Sequence, residues 1–148
     1  MSVPSPRLRR ETYLLLCDAP RRRLLLSAGP GPLAPPQVPA PAGCGHREAA
    51  EAAAGAWWGL KAHALAPVTG HGWASAPVPG GVRTERRLLL ATACDPPRSG
   101  QGPGGLRWWP LERLRGCLWP TVPSELAEIV EGYWDGWIPD GPLTVEWN

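Results

Sequence analysis

Phenylalanine is absent from this chain of 148 residues, lysine occurs once, at Lys61, and the only methionine is Met1. The first absence moves aromatic core volume onto nine Trp and two Tyr, side chains whose polar hydrogens need partners when buried. The near-absence of Lys among fifteen basic residues is a bias that a GC-rich coding sequence produces, as in actinobacteria. No Cys-x-x-Cys pair occurs among Cys17, Cys44, Cys94 and Cys117, so the spacing of zinc ribbons and redox dithiols is missing. Cys44 and His46 make one close pair of potential ligands, but no second pair completes a tetrahedral set. Cys17 and Cys94 end apolar runs and are expected in the core.

Other functions are excluded by distribution rather than count. The net charge is +2 and the arginines are spread over several segments, which leaves no concentrated basic face for nucleic acid. The runs at residues 7–10 and 21–23 read as a solvated terminus and a solvated turn. No apolar run is long enough to cross a membrane, and the first residues lack the apolar stretch of a signal peptide. The expectation is a soluble, cytoplasmic protein that binds neither membrane nor nucleic acid. Pro and Gly together make about a quarter of the chain, which predicts long irregular connections.

The length fits one domain, with residues 1–10 as a flexible lead-in and residues 11–148 as the folded unit. Residues 11–18 and 22–28 each carry a Leu triplet. They read as strands buried on both faces and joined at Ala19-Pro20. Residues 29–41 have no period and read as a surface loop, either a spacer or a binding edge. Residues 43–60 are Ala-rich and end in Gly59-Leu60, the pattern of a helix of about three turns. Its expected packing face is Ala49, Ala52, Ala53 and Ala56, with Glu48 and Glu51 on a polar stripe.

Beyond the helix, His63 is expected to face solvent, residues 68–78 are strand-like, and residues 82–94 form the best central strand of the second half. Residues 106–109 read as a short strand stopped by Pro110, followed by a helical turn. Ser124 is the expected N-cap of an amphipathic helix carrying Leu126, Ile129, Val130, Tyr133 and Trp134. The Trp-rich tail, through Trp137 and Trp147, is expected to fold back over the core.

Glu48-Ala49-Ala50, the Gly59-Leu60 helix end and the late segment Arg107-Trp-Trp-Pro-Leu-Glu-Arg-Leu114 together resemble the Nudix hydrolases. The resemblance implies an α/β/α sandwich with a mixed sheet, one central helix and a C-terminal helix. The family's G-x5-E-x7-R-E-U-x-E-E-x-G-U motif, anchored on Gly59, places its Arg-Glu pair on Ala52 and Ala53 and its Glu-Glu pair on Ala56 and Trp57. A rival anchor on Arg47-Glu48 recovers that pair and Glu51, but sets Ala52 at the second Glu and Ala54 at the closing Gly. Hard divalent ions need oxygen ligands, so a box without these acids implies no metal site and no cofactor.

The remaining candidates for acid–base chemistry are His71, Glu85, Glu51 and His46. Each also has a plainer reading as a solvated, ion-paired or cap-region residue. His71 and Trp73 share strand parity, and the flanking glycines would allow close approach of a ligand. Trp57, Trp73, Trp108 and Trp109, with Arg83, are the candidate binding residues for a planar molecule, and core filling is the alternative for the tryptophans. Three functions follow from these readings. The first is a metal-independent enzyme on a small aromatic or apolar metabolite, of the kind found in bacterial specialised metabolism. The second is a non-catalytic ligand- or partner-binding module. The third is a residual hydrolase of nucleoside diphosphate derivatives. A homodimer is expected only by analogy with the family.

Overall fold

The computed structural model describes residues 7–27, 31–39, 43–61, 65–75, 82–92, 105–115, 120–145 and 147. His63, Cys94 and Cys117, and most of the Pro/Gly loop at 95–105, lie outside these described residues. The element order is β1 (Arg7–Asp18), β2 (Arg23–Ser27), β3 (Gln37–Val38), α1 (His46–Trp58), β4 (Leu65–Ser75), β5 (Val82–Thr92), β6 (Leu106–Pro110), α2 (Leu111–Arg115), α3 (Leu126–Trp134) and β7 (Gly141–Thr144). The strands form one mixed sheet in the order β6-β2-β1-β5-β4-β7, with β3 also paired to β1. β1 and β5 run parallel from Arg7↔Val82 to Cys17↔Thr92, and β1 and β2 make the expected antiparallel hairpin.

The Leu triplets explain why these two long strands sit at the centre. Leu14, Leu15, Leu16, Leu88, Leu89 and Leu90 are all essentially inaccessible, which requires cover on both faces of the sheet. Leu15 and Cys17 of β1 and Leu88 and Leu90 of β5 pack with Leu126 and Val130 of α3, whereas Leu14, Leu16 and Leu89 pack with α1. Each such leucine contributes about 1.5–3 kcal/mol by leaving water.

The helix α1 is shorter than residues 43–60, and its buried face differs from the expected one. Ala49, Ala50, Ala53, Ala54 and Trp58 are buried, while Ala52 and Ala56 are exposed. The buried pairs recur at i, i+1, i+4 and i+5, a stripe that stays on one side at 100° per residue. Gly59 closes the helix with φ 68°, a left-handed conformation that is strained for a residue with a Cβ. Its N–H reaches the carbonyl of Gly55 at 3.0 Å and that of Leu60 reaches Ala54 at 3.1 Å.

Four other expectations change. Arg7 to Arg10 belong to β1 rather than to a free lead-in, because they pair with Val82 through Glu85. The 29–41 stretch is not wholly irregular: Val38 pairs with Thr12, and Leu33 bridges to Thr121. Ser124 does not cap α3, whose N-cap is Glu125 without a side-chain bond; the Thr121 hydroxyl instead donates to the Pro123 carbonyl. The tail does return to the core, since Trp147 is buried, but it does so through β7, which pairs in parallel with β4, and it leaves Trp137 exposed. No helix among the described residues is long and apolar enough to cross a membrane.

Candidate functional site

The first residue of α1 is held by two strands. His46 Nδ1 lies 2.7 Å from Thr12 Oγ1 on β1, and His46 Nε2 lies 2.9 Å from Glu85 Oε1 on β5. An ionised carboxylate only accepts, so Nε2–H donates to Glu85 and Nδ1 accepts the Thr12 hydroxyl proton. Arg87 Nε completes the line at 3.5 Å from the same Glu85 oxygen. Thr12 is fully buried, and the His46 and Glu85 side chains are 12% and 13% exposed.

Burial holds the His46 imidazole below its ordinary value; the Glu85 hydrogen bond pulls the other way, and the charges of Arg87 and Arg10 add to the depression. Burial alone would raise the Glu85 carboxyl, but its hydrogen bond to His46 and the charges of His46, Arg87 and His71 outweigh that and hold it low. The pair is therefore a neutral imidazole beside a carboxylate at neutral pH.

Strand alternation gathers further groups on this face. Arg83, Glu85 and Arg87 project the same way on β5, and Glu85 and Arg87 stand opposite Trp73 and His71 of β4. The His71 and Trp73 rings meet edge to face at 5.3 Å, and the Arg83 guanidinium lies 4.0 Å from the Trp73 ring centre. Trp73 is 42% exposed, and His71 Nε2 is buried without a hydrogen-bond partner among the described residues. His46, Glu85, His71, Trp73 and Arg83 thus belong to one cluster.

The other candidates lie elsewhere. Glu51 pairs with Arg47 at 3.4 Å, one turn along α1. Trp57 meets Trp58 edge-on at 5.5 Å at the far end of that helix. Trp108 and Trp109 alternate across β6: Trp108 packs on the α1 side under Arg23, and Trp109 packs on the α3 side. β6 is separated from β5 by β2 and β1, about 14 Å away at ordinary strand spacing.

The glycines beside His71 do not open a ligand approach. A Cβ on Gly72 would collide with the Trp147 ring, and one on Gly70 would lie 3.1 Å from Val145, so the space is taken by the chain's own tail. Thr12, Arg10 and Arg87 were missing from the sequence-based candidates. Their signal was the alternation of Arg10, Thr12 and Leu14 in β1 and of Glu85, Arg87 and Leu89 in β5, which becomes informative only once the two strands are known to be neighbours.

The fold is Nudix-like. A solved structure of a C. elegans Ap4A hydrolase binary complex superposes with a TM-score of 0.51 at 14% identity, covering 85% of this chain and 98% of that one. A structure of C. elegans Ap4A hydrolase gives 0.47 at 15% identity, covering 93% of this chain and 100% of that one. No protein-family model and no curated protein sequence matches the chain.

With the motif anchored on Gly59, its charged positions would fall on Ala52 and Ala56, both exposed, on buried Ala53 and on Trp57, none of which carries an oxygen ligand for a hard divalent ion. Glu48 is exposed and Glu51 is tied to Arg47. Among the described residues no three His, Cys, Asp or Glu side chains converge.

Proposed function

We propose that this protein is a metal-independent acid–base enzyme built on a Nudix-like hydrolase fold, taking a small aromatic metabolite on the face shared by α1, β5 and β4. The observation that carries this reading is the line Thr12–His46–Glu85, which orients a carboxylate held low near a His71 nitrogen that has no hydrogen-bond partner among the described residues. Glu85 would accept a proton from the ligand through its second oxygen, with His46 fixing the first. His71 would supply the proton on the opposite side. Trp73 and Arg83 offer a planar ledge, and Arg10 and Arg87 would favour a ligand carrying negative charge.

One observation favours a non-catalytic binding module instead. Both His46 nitrogens are occupied and Thr12 is fully buried, an arrangement that also suffices to pin a helix to a sheet. The test begins with binding: benzoate, indole-3-acetate and indole are titrated against Trp emission, and a saturable change lost in Trp73→Ala is expected. Absence of any saturable change would count against both readings. Once a turned-over ligand is in hand, Glu85→Gln should abolish turnover and retain binding in the enzyme reading. Nucleoside diphosphate derivatives with Mg²⁺ or Mn²⁺ should not be hydrolysed, and efficient turnover of any of them would overturn the metal-independent assignment.

A further inference from the structure

A groove of about 480 Å³ opens between the β1–β2 turn and the α2–α3 layer, lined by Arg21, Arg22, Leu111, Glu112, Arg115 and Glu131 together with two prolines. Its volume is within the range of small-molecule sites. It lies at the opposite end of β1 from the His46 cluster, about 20 Å along the strand from Thr12 to Asp18. The two sites therefore share no residue.

The cations in the groove differ in how firmly they are engaged. Asp18 accepts its short bond from Arg23, at 2.9 Å, and holds Arg21 less closely, at 3.4 Å, with the Arg21 side chain 54% exposed. Arg115 pairs with Glu131. Arg22 has no carboxylate partner among the described residues; its guanidinium rests 5.3 Å from the Trp134 ring centre. Arg22 also occupies left-handed backbone, with φ 49°, and its carbonyl accepts the N–H of Leu111 at 2.9 Å. Glycine or asparagine suits that conformation, and arginine costs about 1–2 kcal/mol more there. Arg22 is exposed at the groove wall and, among the described residues, its guanidinium is engaged only by the Trp134 ring, which leaves its hydrogen-bond donors open.

We infer that this groove is a second binding site, for a small molecule bearing a carboxylate or phosphate that Arg21 and Arg22 grip. The oxyanion would take the open guanidinium edges in charge-assisted hydrogen bonds, while Leu111 and the prolines cover an apolar body. Glu112 faces the same space and disfavours a ligand with a second anionic group at that end. Arg115 is already neutralised by Glu131 and adds no free charge.

The test is calorimetric titration of the whole chain with inorganic phosphate and, separately, with succinate, the two arms separating phosphate from carboxylate recognition. Saturable one-site binding of at least one probe is expected, with a Kd of about 0.1–10 mM. Arg22→Gly and Arg21→Ala should each weaken it about tenfold or more, and Arg9→Ala, an exposed arginine at the far end of β1, should leave it unchanged. Glycine accepts the turn conformation, so Arg22→Gly should fold with an unchanged or higher Tm, and exposed Arg21 offers a second variant independent of the backbone. Failure of both probes to saturate, wild-type affinity in both groove variants, or loss of binding in Arg9→Ala would each overturn the assignment.

Discussion

Replacing His46 with Ala tests whether the imidazole is a neutral tie or half of an ion pair. The substitution strands the hydroxyl of Thr12, which is fully buried, and an unsatisfied buried donor costs about 1–3 kcal/mol. Glu85 loses its short bond while keeping Arg87 at 3.5 Å, adding about 1 kcal/mol, so the expected loss at pH 7.5 is roughly 2–4 kcal/mol. That is a large fraction of the stability of an ordinary domain. The pH dependence gives the sharper test. His46 is depressed below 6.5, so its contribution is complete above that pH, and it shrinks on acidification as the unfolded chain gains a proton that the folded chain refuses. Urea unfolding followed by Trp emission at pH 7.5 and 5.5 should show wild type losing stability on acidification and the gap to His46→Ala narrowing. A gap that widens at pH 5.5 would mean that the imidazolium–carboxylate attraction dominates, and the neutral-tie argument would be wrong. A difference under about 0.5 kcal/mol at both pH values would show that the network carries no stability at all.

Three further perturbations address the scaffold. Asp18 is about 1% exposed and takes hydrogen bonds from Arg23 and Arg21 that outweigh burial and hold its carboxyl low. Asp18→Asn should cost about 2–4 kcal/mol at pH 7 by urea unfolding. Its difference from wild type should shrink as pH falls below 3.8 through the folded value, because the stability of a depressed carboxyl is present only above it. Gly72→Ala would set a Cβ 2.6 Å from the Val145 carbonyl and inside the Trp147 ring, so the tail must lift; about 1–3 kcal/mol of destabilisation and a red-shifted emission are expected. Leu89→Ala empties space under α1 and should lower stability by about 2–5 kcal/mol, with no effect on the calorimetric anion signal.

The network at His46 and the Nudix-like architecture bear on each other. The helix α1 meets the sheet at its first residue, where a Thr hydroxyl and a Glu carboxylate from parallel neighbouring strands hold His46. Both partners of His46 belong to the face of the sheet on which Glu85 and Arg87 stand opposite Trp73 and His71, so the anchor of the helix and the proposed site are built from the same residues.

The sequence by itself determined the elements that depend on short-range pattern. Two Leu triplets flanking Ala19-Pro20 sufficed for the hairpin, the run ending in Leu88-Leu89-Leu90 for a central strand, and Gly59 for the end of α1, since each is set by burial or by backbone sterics within a few residues. The tertiary structure alone decided which strands are neighbours. Parallel pairing of β1 with β5 joins residues about seventy-five positions apart, and only that pairing sets Thr12 and Glu85 on either side of His46. It likewise revealed that Gly70 and Gly72 make room for the chain's own tail, and that Trp108 and Trp109 face opposite layers. Pairing between distant strands is governed by the summed burial of whole faces, so no local stretch of the chain carries it.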